Sequence, residues 1–293
     1  MDLGVLKTKM SILIDDIIFS EEDGLILPEI GSWALVKHHV IYDYMSLFSS
    51  GMKKMWDNRI YIDLYSAGGK AKIRNTEKVV NTSALLSLKV PNPFDKYLFC
   101  EKDIKLAEAL KERVRIENNN ENTVIIEGDC NENVDAIISE IPIPSKSNKV
   151  LCFCFVDPFS LDIKFDTIKR LSERFTDFLV LLALHMDARR NVGLYIDENN
   201  NRLDNFLGDK TWRTKWESAQ KRGINIVRFL ADEFSQRMVS LGYREEAIDN
   251  FISIKSDAKN LPLYYLAFYS KHQTGYKFWK TVQQRNNEPG LFD

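Results

Sequence analysis

Four carboxylates stand at or just beyond the ends of short apolar runs: Asp63, Glu101, Asp129 and Asp157. Asp63 precedes "LYSAGGK", where Ser66, Ala67, Gly68 and Gly69 make a small-residue turn. Such a turn lets backbone N–H groups approach a ligand closely, which suits the charged end of a nucleotide-type cofactor over a strand-to-helix turn. The spacing is not G-x-G-x-x-G, and an ordinary tight turn fits it equally well. Glu101 is placed to accept from both ribose hydroxyls of a nucleoside, or to stand solvated before a helix. Asp129 can accept from an adenine amino group, or Asp129 or Asn131 can cap the following helix. Asp157, Pro158 and Phe159 set an acceptor, a rigid bend and an aromatic ring in a row. That trio can hold an exocyclic amine and stack on its base, or merely close a strand. The order is that of a D/N-P-P-Y/F motif from which the second proline is missing.

Further along, Asp187, Arg189 and Arg190 could grip a phosphate or a partner carboxylate, or form a solvated charged loop. Lys37 and His38 lie on a helix that could cover a cofactor, with a surface face as the plain alternative. The four cysteines, Cys100, Cys130, Cys152 and Cys154, form no CxxC pair and read as buried thiols. The four histidines are scattered and form no metal cluster, so no metal site is expected. No GxSxG, HExxH or complete P-loop is present.

These residues need a frame, and the hydropathy pattern supplies one. Apolar runs at Ile60–Leu64, Tyr97–Cys100, Thr123–Ile126, Val150–Val156 and Phe178–Leu184 read as strands. Helical stretches at Thr82–Leu88, after Asp103, at Val134–Ile141 and at Phe165–Phe175 alternate with them. Strands apolar on both faces, alternating with helices, predict an α/β fold with a doubly wound, mostly parallel sheet. Ligands of such sheets bind beyond the carboxyl ends of the strands, where the four acids collect. A helix is predicted over Trp33–Trp56. "LPLYYLAFYSKH" and "GYKFWKTV" predict a C-terminal antiparallel hairpin, the ending of the class I methyltransferase version of this fold. Predicted boundaries are an N-terminal extension (1–32), the Rossmann core (33–186 plus 258–283), a helical insertion (187–257) and a tail (284–293).

Net charge is −2, so no global field draws the chain to nucleic acid, and any such contact must be local. The apolar fraction of 44% and charged fraction of 28% are those of a soluble globular protein. The longest apolar run is too short to cross a bilayer and no signal pattern opens the chain, so a cytoplasmic location is expected.

Seven segments in order, "SWALVKHHVIYDYM", "YIDLYSAGGKAKIRNT", "YLFCEKD", "FVDPFSLDIKFDTIKRLS", "DFLVLLALHMDARRN", "FLGDKTWRTKW" and "YYLAFYSKH", resemble the three-Cys-motif partner proteins, over about residues 30 to 282. Those are bacterial and phage-associated proteins with a methyltransferase-like Rossmann domain. The resemblance implies an S-adenosylmethionine site and a companion protein with three cysteines, itself similar to radical enzymes that use the same cofactor. Where relatives read D-L-x-[AS]-G-P-G, this chain has Ala67 for the first glycine and Gly68 for the proline. The family's downstream Gly-Ser-Pro is here Thr82-Ser83-Ala84. A methyl at Ala67 is expected to weaken cofactor binding.

The leading expectation is an S-adenosylmethionine-dependent methyltransferase acting on nucleic acid or a nucleobase. Asp63 and Ser66–Gly69 would hold the amino-acid end, Glu101 the ribose, Asp129 the adenine, and Asp157 and Phe159 the acceptor. The alternatives are an idle adaptor that docks the three-cysteine partner in a phage-defence or mobile-element setting, and a nucleic-acid-binding module using Arg189, Arg190 and Lys210 to Arg222.

Overall fold

The computed structural model describes residues 16–117, 121–185, 189–197, 199–245, 251–256 and 261–287. Seven strands form the main sheet: β3 (Asn58–Asp63), β6 (Lys96–Glu101), β7 (Thr123–Glu127), β8 (Val150–Val156), β9 (Thr176–Leu182), β10 (Phe251–Lys255) and β11 (Pro262–Tyr269). Their order is β10-β11-β9-β8-β3-β6-β7, and β11 alone runs antiparallel to its neighbours. A parallel sheet whose last inserted strand is reversed is the class I methyltransferase arrangement, so the predicted fold class holds. All seven residues of β8 and of β9 are buried, as strands covered on both faces must be.

Register sets the heights of the acids. Asp63 pairs with Phe99 on one side and Phe155 on the other. Glu101 and Asp157 therefore stand two residues beyond Asp63, about 7 Å further along the strands. Glu101 pairs with Glu127, which leaves Asp129 two residues beyond that level again.

The helices are α1 (Ala34–Met52), α2 (Ser83–Leu88), α3 (Ile104–Ile116), α4 (Val134–Ser139), α5 (Phe165–Ser172), α6 (Arg189–Ile196), α7 (Arg202–Leu207), α8 (Trp212–Lys221), α9 (Ile226–Ser240) and α10 (Gln273–Asn287). Asp103 caps α3 as its sequence predicts, its carboxylate accepting from the amides of Lys105 and Leu106. The aromatic rings of Tyr44 and Phe48 on α1 pack against Phe153 of β8, and Tyr44 meets Phe268 of β11.

Several expectations need correction. After Gly69 the chain enters not a helix but β4 (Lys70–Ile73), which pairs with β5 (Val79–Asn81) in a small sheet of order β1-β5-β4-β2. Its outer strands, β1 (Phe19–Ser20) and β2 (Glu29–Ile30), come from the stretch read as an N-terminal extension. The C-terminal hairpin is made by β10 and β11, so the sheet draws on Phe251–Lys255, inside the predicted helical insertion. "GYKFWKTV" belongs to α10, because Tyr276, Trp279 and Val282 repeat every three residues and are buried along one side. Helix α1 ends at Met52, short of Trp56, and is no surface helix, since most of its length is buried. Neither Asp129 nor Asn131 caps α4, whose N-cap position is Asn133.

Candidate functional site

Asp63 ends β3 fully buried. Its carboxylate accepts from the Tyr65 amide and the Tyr61 hydroxyl, each at 3.2 Å. Burial raises its pKa to about 7; the charge of Asp157 adds to the rise, against hydrogen bonds led by Ser83. The Ser66 hydroxyl donates to the Asp63 carbonyl at 2.9 Å, which closes the turn on itself.

Ala67 takes the left-handed conformation, φ 50°. Its N–H donates to Glu101 Oε2 at 2.7 Å, while Glu101 Oε1 accepts from the Asp103 N–H at 2.8 Å. The acid expected to take a ribose thus holds the turn and the start of α3 with the same two oxygens. Gly69 has φ 83° and faces Leu85 and Leu110 so closely that a Cβ would lie 3.0 Å from each.

The outer side of this turn is sealed by Arg113, a residue the sequence reading passed over. Arg113 is 2% exposed. Its Nη1 donates to the Gly68 carbonyl at 2.5 Å, and its Nε and Nη2 form a two-pronged pair with Asp23, both at 2.8 Å. That pairing, ahead of the opposing effect of burial, holds the Asp23 carboxyl far below its ordinary value. The signal was present: Arg113 shares the buried side of α3 with Ala109, Leu110 and Val114, where an unpaired cation cannot remain.

Asp157, on the loop after β8, pairs with Lys37 of α1 at 2.5 Å, with side chains 19% and 12% exposed. Two residues read separately from sequence are therefore one unit. His38 is buried, and burial, then the neighbouring charges of Lys37 and His39, push its pKa well below the ordinary value and keep it neutral. Its Nδ1 is buried with no hydrogen-bond partner among the described residues. Asp187 lies outside the described residues. Arg189 and Arg190 open α6, but their side chains are likewise outside the described set.

A cleft of about 380 Å³ opens at the carboxyl ends of β3, β6 and β7. Glu101, Asp129 and Phe159 line it together with Tyr65, Cys130 and Lys164. Phe159 is 94% exposed, an aromatic face with nothing packed over it. Asp63, Ser66, Ala67, Gly68, Gly69, Asp157 and Pro158 are not in its walls. Burial pushes the Asp129 carboxyl up, but hydrogen bonds from the Asn131 amide and Lys102 outweigh it and keep it ionised. Asn131, expected only as a helix cap, instead ties the floor together. It donates to Asp129 and to the Asp162 carbonyl, and its Oδ1 accepts from the Lys164 amide and the Thr167 hydroxyl. A wider hollow of about 590 Å³ shares Asp162 and Lys164 with this cleft and is walled by Tyr195, Arg202, Asn201 and Asn205.

All four cysteines are buried free thiols, as expected. Among the described residues no cluster of three metal-ligating side chains occurs. No described helix is long and apolar enough to cross a membrane.

For an adenosyl group, the cleft offers two carboxyl acceptors and a flat ring in one place. The turn meant for the amino-acid end is closed, since Ser66, Gly68 and Gly69 are buried. The fit is good for the nucleoside half alone.

No protein-family model matches the chain, nor does any curated protein. Among solved structures it resembles the O-methyltransferase TomG of Streptomyces achromogenes, solved in complex with S-adenosylmethionine, at 11% identity and TM-score 0.44, covering 92% of this chain and 100% of that one. It also resembles a Legionella pneumophila protein at 8% identity and TM-score 0.46, covering 85% and 90%. The methyltransferase domain of METTL16 is similar at 12% identity and TM-score 0.39, covering 82% and 68%. These likenesses are of fold.

Proposed function

We propose that the chain binds S-adenosylmethionine through its adenosyl half and transfers the methyl group to a nucleobase or nucleic acid, acting with a three-cysteine partner protein. The observation that carries this reading is the convergence of Glu101, Asp129 and Phe159 on one cleft at the carboxyl ends of parallel strands. Glu101 would take the ribose hydroxyls on the lone pairs its two backbone donors leave open, Asp129 the adenine amine, and Phe159 a ring face. The bound cofactor would supply an electrophilic methyl group. The chain's part is to hold the acceptor in line with it, which needs positioning more than a strong base. The wider hollow, which shares a wall with the cleft, supports entry of an acceptor from that side.

Calorimetry with S-adenosylhomocysteine tests this. Binding is expected in the wild type, and Glu101→Ala should weaken it by about 2 kcal/mol, roughly thirtyfold, since a charged acceptor is lost. No heat at millimolar ligand would end the reading.

The adaptor alternative draws support from the closed turn at Ala67 and from Lys37, which already occupies Asp157. It requires stable co-purification with the three-cysteine partner and no methyl transfer by the pair to DNA, RNA or protein.

A further inference from the structure

At the amino ends of β8 and β9, the end of the sheet opposite the strand-end acids, lies a second kind of hollow, of about 330 Å³. Met52, Met55, Trp56 and Leu151 make its walls apolar, and Trp56 is backed by the ring of Phe175, with centroids 5.8 Å apart. One acid, Asp177, reaches it from β9 and is only 7% exposed. The Ser270 hydroxyl is hydrogen-bonded to the carboxylate, which packs against the first turn of α10, where a Cβ on Gly275 would come within 3.1 Å of Oδ2. It forms no ion pair among the described residues. Lys149 and His272 stand exposed at the mouth; Tyr44, Tyr243 and Cys152 feel the Asp177 charge, and Tyr276, Arg174 and Lys271 are titratable neighbours of those three.

An apolar slot with a single fixed, desolvated acid is built for a ligand with an apolar body and one donating, positive tip. We infer that this hollow is a binding site for a small arylalkylammonium, its ring between Met52, Trp56 and Leu151 and its ammonium on Asp177. The inference is independent of the cofactor reading, since the two sites lie at opposite ends of the strands. Burial sets the Asp177 carboxyl at about 7, so it is half charged near neutrality and fully charged only above.

The test uses the full chain, phenethylammonium as probe and 2-phenylethanol as its neutral counterpart, observed through the methionine methyl and tryptophan indole NMR signals. Phenethylammonium is expected to shift Met52, Met55 and Trp56 saturably. It should bind about tenfold tighter at pH 8 than at pH 6, as the ionised share of Asp177 rises from about one-eleventh to ten-elevenths. The alcohol should bind at least tenfold more weakly at pH 8, with no pH dependence, and Asp177→Asn should abolish the amine's pH dependence. The proposal is overturned if neither probe moves these signals at millimolar concentration, or if amine and alcohol bind alike at both pH values. Should Asp177→Asn fail to fold, the two probes on the wild type decide the matter.

Discussion

A single methyl group, that of Ala67, distinguishes this turn from one that glycine would make without strain. Its φ of 50° costs a residue with a Cβ about 1–2 kcal/mol relative to glycine. Glycine in turn gives the unfolded chain about 0.5–1 kcal/mol more freedom to lose. Ala67→Gly is therefore expected to stabilise the fold by about 0.5–1 kcal/mol, seen as a higher denaturant midpoint at unchanged slope. A lower midpoint would mean the turn carries no strain. The candidate acids were legible in the sequence because a carboxylate at the end of an apolar run interrupts the hydropathy pattern. Less legible was that Glu101 is already engaged by the Ala67 and Asp103 amides, because backbone donors carry no residue identity. The pairing of Lys37 with Asp157 was invisible for another reason: the two are 120 residues apart in the chain.

Among the polar ties that join elements, Arg113 links α3 to the glycine turn and to the loop that carries Asp23. Arg113→Met keeps the stem but takes the donor from the Gly68 carbonyl and leaves Asp23 only Lys70 and the Leu25 amide. A loss of about 3 kcal/mol is expected, read as a fall in melting temperature. Near-wild-type melting would show the clamp to be idle. The parallel strands were readable because runs such as Val150–Val156 are apolar on both faces. The β4–β5 pair was not, since strands of three and four residues hardly build a period. "GYKFWKTV" misled because aromatic and β-branched residues favour strands locally, while the burial of Trp279 and Val282 beneath α10 overrides that preference.

For the whole molecule, the sheet holds one buried acid near each end, Asp63 and Asp177, both with carboxyls raised to about 7 by burial. In the unfolded chain each returns to the ordinary value of 3.8. For these two acids the folded state binds more protons than the unfolded one between about pH 4 and 7, so their contribution falls as pH rises through that window and outweighs the opposite, single contribution of buried neutral His38. Unfolding free energy measured from pH 4 to 8 should decline and then level off. Asp63→Asn should remove part of the slope and leave the share due to Asp177; an unchanged slope would place the cause elsewhere. The partition between the strand-end cleft and the wider hollow has its own consequence. Asp162 and Lys164 face both spaces, and Asn131 grips the backbone at both positions. A guest on either side would meet the same wall, so any shift of Asp162 or Lys164 on one side changes the shape of the space on the other.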